Sequence, residues 1–157
     1  MSILTLMVGP SGAGKTTWLL GAAARAMGIR PRHVLSSDDT REDLCGDFRD
    51  QTKNGLVFAA INAQARVRLA HGLPTVIDAT HLRRQDRLAS IELARGGPVR
   101  YVVVDRLEAD KRRDAGWRAG LPIDLIAKHD QTFQSQLADI LAGDYLPNVT
   151  VHDVRQT

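Results

Sequence analysis

Short apolar runs alternate with helix-forming segments along the chain. The runs at 3–8, 33–37, 75–79, 99–107 and 148–154 are typical of buried strands. Helical patterns are predicted between them at 15–28, 56–72, 83–97 and 122–142, and the segment 108–120 begins as a helix before the pattern breaks. Strands and helices that alternate in this way predict an α/β fold with a parallel sheet of about five strands and helices on both faces.

The sequence pattern gives no sign of a division into several domains. The chain has 157 residues, the size of one domain, and no linker, repeat or low-complexity segment interrupts it. We therefore expect a single domain over 1–157. The pattern leaves the oligomeric state open.

Composition limits the class of protein and the cellular compartment to which this chain can belong. The chain is 43% hydrophobic and 25% charged, and no apolar run approaches the roughly 18 residues of a membrane span. The first residues lack a basic segment and lead directly into a glycine-containing loop, which favours a strand over a signal peptide. Cys45 is the sole cysteine, so an internal disulfide is excluded. A cytoplasmic protein without a membrane partner is expected.

The strongest motif is GPSGAGKTT, residues 9–17, which matches G-x-x-x-x-G-K-[ST] between a predicted strand and a predicted helix. Such a loop surrounds phosphates with backbone N–H groups. The candidate nucleotide-binding residues are Gly9, Ser11, Gly12, Ala13, Gly14, Lys15, Thr16 and Thr17. We call residues 9–16 the phosphate loop.

Two side chains of the phosphate loop carry the chemistry. Lys15 places a positive charge where negative charge moves during phosphoryl transfer. The Thr16 hydroxyl suits Mg²⁺, which bridges phosphate oxygens. ATP as donor and Mg²⁺ are the expected cofactors.

The second predicted strand runs into SSDDTRED, residues 36–43, at the sheet edge where such folds bind ligands. Asp38 is placed to accept a proton from an attacking hydroxyl, and Arg41, three residues later, to bind an acceptor phosphate. The structural alternative is that Ser37, Asp38 or Asp39 caps the following helix, with Asp39 and Glu42 as a capping box.

Charge is unevenly distributed. Residues 83–118 hold ten of the 21 Lys and Arg and six of the 18 Asp and Glu, a local charge of +4, while the rest of the chain carries −1. This segment either faces a polyanion or is an ordinary solvated surface.

Taken in order, GPSGAGKTT, SSDDTR, VIDATHLRRQDR, DRLEADKRRD and LPIDLIAKH resemble the kinase domain of phage and bacterial polynucleotide 5′-kinases, over roughly residues 3–140. The resemblance implies a P-loop kinase fold that transfers the γ-phosphate of ATP to the 5′-hydroxyl end of DNA or RNA. It implies that Asp38 is the general base, Arg41 binds the acceptor phosphate, and Lys15 and Thr16 bind phosphate and Mg²⁺. Asp78 then lies near the site, where it orients Arg41, binds the Mg²⁺ shell or holds the strand end.

The resemblance also implies a helical lid over about 108–121 whose arginines reach the ATP phosphates. Arg112 matches the first lid arginine, and either Arg118 or Arg113 matches the second, because the spacing to LPID is about two residues shorter than the family pattern. Trp117 either stacks on adenine or packs.

Other side chains favour structural roles: Trp18 in the core, His81 in a loop and His129 on the last helix.

Two other functions share these motifs. A small-molecule kinase of the zeta-toxin or antibiotic-kinase type needs no basic channel. An ATPase or switch module needs a residue that orients water, and TVIDATH supplies an Asp without a neighbouring Glu. No D-x-D-x-T phosphatase motif is present, so a separate repair phosphatase or ligase is a possible partner.

Overall fold

Five parallel strands form one sheet in the computed structural model, which describes residues 2–115 and 123–156. The strands are β1 (Leu4–Val8), β2 (Val34–Ser36), β3 (Thr75–Asp78), β4 (Val99–Val103) and β5 (Val149–Asp153), in the spatial order β2-β3-β1-β4-β5. In the register, Leu6 of β1 lies opposite Ile77 of β3 and Tyr101 of β4. The predicted α/β fold with a parallel sheet is confirmed.

Helices connect the strands. They are α1 (Lys15–Leu19), α2 (Ala22–Ala26), α3 (Ser37–Cys45), α4 (Asn54–Ala70), α5 (Arg84–Ile91), α6 (Glu108–Ala115) and α7 (Ile123–Leu141). Short 3-10 turns lie at Pro31–His33, Gln51–Lys53, Glu92–Ala94 and Gly143–Tyr145.

Two apolar layers cover the sheet. On one face, Leu4, Leu6 and Val8 of β1 pack with α4 and α7. On the other, Met7 packs with Leu19 and Ala24 of α1 and α2, and Trp18 packs against this layer as expected. Alternate residues of β1 thus serve opposite faces, because side chains alternate along a strand. Within the described ranges, no helix is long and apolar enough to cross a membrane.

Several predicted boundaries were wrong. The helix expected over 15–28 is broken at Gly21, whose backbone is extended, so α1 and α2 are separate. The strand expected over 99–107 ends at Val103. After it, Arg106 turns to donate from Nε to the carbonyl of Gly12 at 2.7 Å.

The start of α3 corrects another expectation. Neither Ser37, Asp38 nor Asp39 is the capping residue. Ser36 is, and its hydroxyl oxygen accepts from the backbone N–H of Asp39 at 3.2 Å. The cap lies one residue before the first of these three candidates, which leaves the Asp38 carboxylate available for other contacts.

A buried ion pair fixes α5 against the sheet. The guanidinium of Arg87 donates to both carboxylate oxygens of Asp144, at 2.7 and 2.8 Å, and the Tyr101 hydroxyl donates to Asp144 at 2.6 Å. Arg87 also donates to the carbonyls of His81 and Leu82. The pair therefore holds the segment that follows Asp78.

Candidate active site

The candidate site is a cleft of about 590 Å³ at the carboxyl ends of β1, β2 and β3. The phosphate loop, the start of α3, one side of α4 and the segment after β3 line it. Parallel α/β sheets bind their ligands at this edge, because the loops that leave the strands converge there.

Backbone geometry explains the glycines of the phosphate loop. A Cβ on Gly9 would lie 2.0 Å from the carbonyl oxygen of Val104, so this position tolerates no side chain. Gly14 has φ +93°, a left-handed conformation that favours glycine. The Lys15 ammonium donates to the carbonyls of Gly9 and Pro10, both at 3.0 Å, which places it over the loop.

Thr16 and Asp78 meet at the base of the cleft, although they are 62 residues apart in sequence. The Thr16 hydroxyl donates to Asp78 Oδ2 at 2.9 Å. Burial raises the pKa of the Asp78 carboxyl, while the Lys15 charge and the Thr16 hydrogen bond oppose that shift. A divalent cation would offset the cost of burying this charge, and oxygen ligands suit Mg²⁺. The two side chains therefore fit an Mg²⁺ site.

Asp38 and Arg41 form a second pair on the first turns of α3. Arg41 Nη1 donates to Asp38 Oδ1 at 2.9 Å, and the other contacts of Arg41 go to the carbonyl of Phe48 and the side chain of Asn54. The two side chains differ in exposure, at 62% for Asp38 and 5% for Arg41. The carboxylate is therefore accessible from the cleft, while the guanidinium is held in place.

One donor of this pair is unsatisfied. The Nε of Arg41 is buried and has no hydrogen-bond partner among the described residues. A buried donor without a partner costs free energy, so this donor is a local cost to the fold.

His129 enters the site from α7. The backbone N–H of Ser11 points to His129 Nδ1 at 3.3 Å, and the Ser11 hydroxyl lies 2.7 Å from the same nitrogen. The structural role expected for His129 did not include the phosphate loop. A separation of 118 residues leaves no local sequence signal for this contact.

His81 lies in a loop, as expected, but its side chain is buried and packs inside the fold. Its Nδ1 lies 2.7 Å from the carbonyl of Met7 and its Nε2 lies 3.2 Å from the Ser90 hydroxyl. Burial lowers the pKa of His81 to about 4, so the ring is neutral at physiological pH.

The lid arginines are only partly described. Arg112 is exposed and pairs with Glu108 at 2.6 Å, and Arg113 pairs with Asp110 at 3.1 Å. Neither is among the residues that line the cleft. Arg118 and Trp117 lie outside the described residues, as does Pro122. The lid roles of these arginines stay predictions.

The basic segment, residues 83–118, carries less unpaired positive charge than its composition indicates. Arg87 is buried with Asp144, and Lys111 is buried between Asp105 and Asp130. Arg106 is paired as well, with Asp114. Much of the local positive charge is therefore neutralised within the fold. Arg83 is exposed and lines the cleft.

The parallel sheet and the phosphate loop together form the α/β fold of P-loop NTPases and kinases. A family model described as an AAA domain matches residues 4–138, and the chain belongs to this family. No curated protein matches it.

Solved structures share the fold at low sequence identity. A chain of a Pnkp1/Rnl/Hen1 RNA repair complex is similar with a TM-score of 0.73 and 18% identity, over 88% of this chain and 46% of that one. A gluconokinase from Sinorhizobium meliloti 1021 is similar at 0.58 and 22% identity, over 99% and 83%. The PezAT toxin–antitoxin system of Streptococcus pneumoniae is similar at 0.64 and 16%, over 98% and 67%. The chain thus spans less than half the length of the RNA repair chain.

Proposed function

We propose that this protein transfers the γ-phosphate of ATP to the 5′-hydroxyl end of DNA or RNA. The observation that carries the proposal is the pairing of an accessible carboxylate, Asp38, with a buried arginine, Arg41, across the cleft from the phosphate loop. A base beside a fixed cation suits an acceptor that has both a hydroxyl and a nearby phosphate.

In the proposed reaction, Asp38 accepts the proton of the acceptor hydroxyl as that oxygen bonds to the γ-phosphorus. The bond from the γ-phosphorus to the bridging oxygen breaks, and ADP leaves with the electron pair. Lys15 and the backbone N–H groups of the phosphate loop stabilise the charge that moves to the leaving group. Mg²⁺, held by Thr16 and Asp78, would neutralise phosphate charge. Arg112 and one of Arg113 and Arg118 are proposed to contact the ATP phosphates from the lid.

Arg41 favours a phosphorylated chain as acceptor. Arg41 lines the cleft and is held there by Asp38, Phe48 and Asn54. A phosphate next to the reacting nucleoside would accept from this side chain, because Arg binds phosphate through several N–H groups. Such contacts hold a strand without reading its sequence. The similar fold of a chain from an RNA repair complex supports this choice.

A small polyol is the second candidate acceptor. Gln51, Asn54 and Asn62 give one wall of the cleft an amide-rich surface that suits sugar hydroxyls. The similarity to a gluconokinase covers almost the whole chain. The substrate distinguishes the two candidates, because a sugar acid lacks the diester phosphate that Arg41 would bind.

An acceptor comparison tests the proposal. The protein is incubated with γ-labelled ATP and Mg²⁺ and with a 5′-hydroxyl oligonucleotide, the same oligonucleotide already 5′-phosphorylated, or gluconate. Label on the first acceptor alone is the expected result. Label on gluconate alone would replace the polynucleotide by a polyol, and free labelled phosphate without any acceptor would indicate an ATPase.

Association with a separate repair phosphatase or ligase is also proposed. The similar RNA repair chain is more than twice as long as the matched part.

A further inference from the structure

The outer turn of the phosphate loop is braced by residues from the other end of the chain. Ser11 contacts His129 of α7 through both its backbone N–H and its hydroxyl. The carbonyl of the next residue, Gly12, accepts from Arg106 at 2.7 Å. Lys111 of α6 lies against the same glycine, within 3.4 Å of the place where a Cβ would be.

His129 is itself fixed in place. The residue after it, Asp130, accepts from the ammonium of Lys111, which is 1% exposed and also donates to Asp105 at 2.7 Å. Adjacent residues of α7 therefore hold the phosphate loop and the buried lysine of α6.

The hydrogen-bond pattern determines the tautomer of His129. A backbone N–H can only donate, so Nδ1 must be the acceptor in the Ser11 contact and carries no proton. The Ser11 hydroxyl then donates to the same lone pair, and the neutral ring has its proton on Nε2. Burial, followed by the charges of Lys15 and Arg83, lowers the pKa of His129 to about 4, in agreement with a neutral ring.

We propose that His129 is a positioning residue for the donor nucleotide: its Nδ1 holds the Ser11 turn so that the other N–H groups of the phosphate loop converge on the ATP phosphates. The proposal rests on the ATP-binding part of the proposed function and not on the acceptor. Its experiments accordingly use no acceptor.

Two substitutions separate the hydrogen bond from packing. His129→Asn places an oxygen acceptor near the position of Nδ1, whereas His129→Leu fills similar space without an acceptor. Affinity for Mg²⁺-ADP, measured by calorimetry, should fall about tenfold in His129→Leu, because Ser11 loses its partly buried hydrogen bonds to Nδ1. It should fall less than about threefold in His129→Asn. His71→Asn, which changes an exposed histidine, is the control and should retain wild-type affinity.

Equal affinities of the Leu variant and the wild type, or tighter binding by the Leu variant, would overturn the proposal. So would an Asn variant as weak as the Leu variant. A measurement on the wild-type protein guards against misfolded variants: long-range ¹H–¹⁵N NMR should show His129 protonated on Nε2, and a proton on Nδ1 would contradict the geometry. If the variants lose ADP affinity as expected but the wild-type protein does not phosphorylate the oligonucleotide, this proposal stands and the proposed acceptor is refuted.

Discussion

Gly9→Ala is the sharpest test of the phosphate-loop geometry. The added Cβ would lie 2.0 Å from the carbonyl oxygen of Val104 and 3.2 Å from the carbonyl carbon of the same residue. Side-chain carbons do not approach backbone oxygens closer than about 3 Å, so the loop must move by roughly 1 Å. Such a shift would strain the hydrogen bond from the Gly9 N–H to the carbonyl of Thr80, now 3.0 Å long.

The magnitude follows from this displacement. Overpacking costs about 1–3 kcal/mol of unfolding free energy, and the reduced entropy of the unfolded chain offsets about 0.4–1 kcal/mol of that. A misplacement of this size can lower phosphoryl-transfer activity about a hundredfold. Urea denaturation gives the stability, and the initial rate of ATP consumption with acceptor gives the activity.

Gly55→Ala is the matched control for stability. Gly55 lies in the first turn of α4, and a Cβ there meets nothing within 4 Å. The substitution should leave the unfolding free energy unchanged or raise it by up to about 1 kcal/mol. If Gly9→Ala is as stable and as active as the wild type, the close approach of Gly9 to Val104 is refuted.

Three further predictions concern the buried pair and the acceptor site. Arg87→Met should cost about 3–5 kcal/mol in urea denaturation, because it leaves Asp144 charged and buried; a loss below about 1 kcal/mol would contradict this. Burial opposes ionisation of Asp144, but the hydrogen bonds of Arg87 and Tyr101 outweigh it and lower its pKa. The stability that this pair contributes should be complete above the ordinary carboxyl pKa of about 4 and lost as pH falls through the lower folded value. The unfolding free energy should therefore fall less steeply with decreasing pH in Asp144→Asn than in the wild type. The same pH dependence in both proteins would refute the lowered pKa of Asp144. Arg41→Lys should raise KM for a 5′-hydroxyl oligonucleotide about tenfold with KM for ATP unchanged, since Lys lacks the planar set of N–H donors with which Arg binds phosphate; equal effects on both constants would remove Arg41 from the acceptor site.

Local patterns predicted the features of the candidate cleft that depend on short spacing, and their catalytic roles stay predictions. The phosphate loop follows a buried strand and precedes a helix, and Asp38 and Arg41 are three residues apart on one helix, so both signals are contained in a few residues. The alternation of apolar runs likewise predicted the parallel sheet, because buried strands need apolar side chains on both faces.

Contacts between distant residues were not predictable in this way. Arg87 and Asp144 are 57 residues apart, and Ser11 and His129 are 118 apart, so nothing in either local segment indicates its partner. The basic segment shows the same limit: its charges were counted along the chain, whereas burial and pairing with Asp105, Asp130 and Asp144 are decided by the fold. The break at Gly21 was missed because alanine-rich sequence favours a continuous helix.

The most direct test of the central claim compares Asp38→Asn with Asp39→Asn in the transfer of γ-label from ATP to a 5′-hydroxyl oligonucleotide. The two carboxylates are neighbours on α3, but only Asp38 contacts Arg41 and lines the cleft. We predict that Asp38→Asn lowers the transfer rate at least about a hundredfold while ADP binding is retained, and that Asp39→Asn stays within about threefold of wild type. Normal transfer by Asp38→Asn, or no transfer to the oligonucleotide by the wild-type protein, would contradict the account.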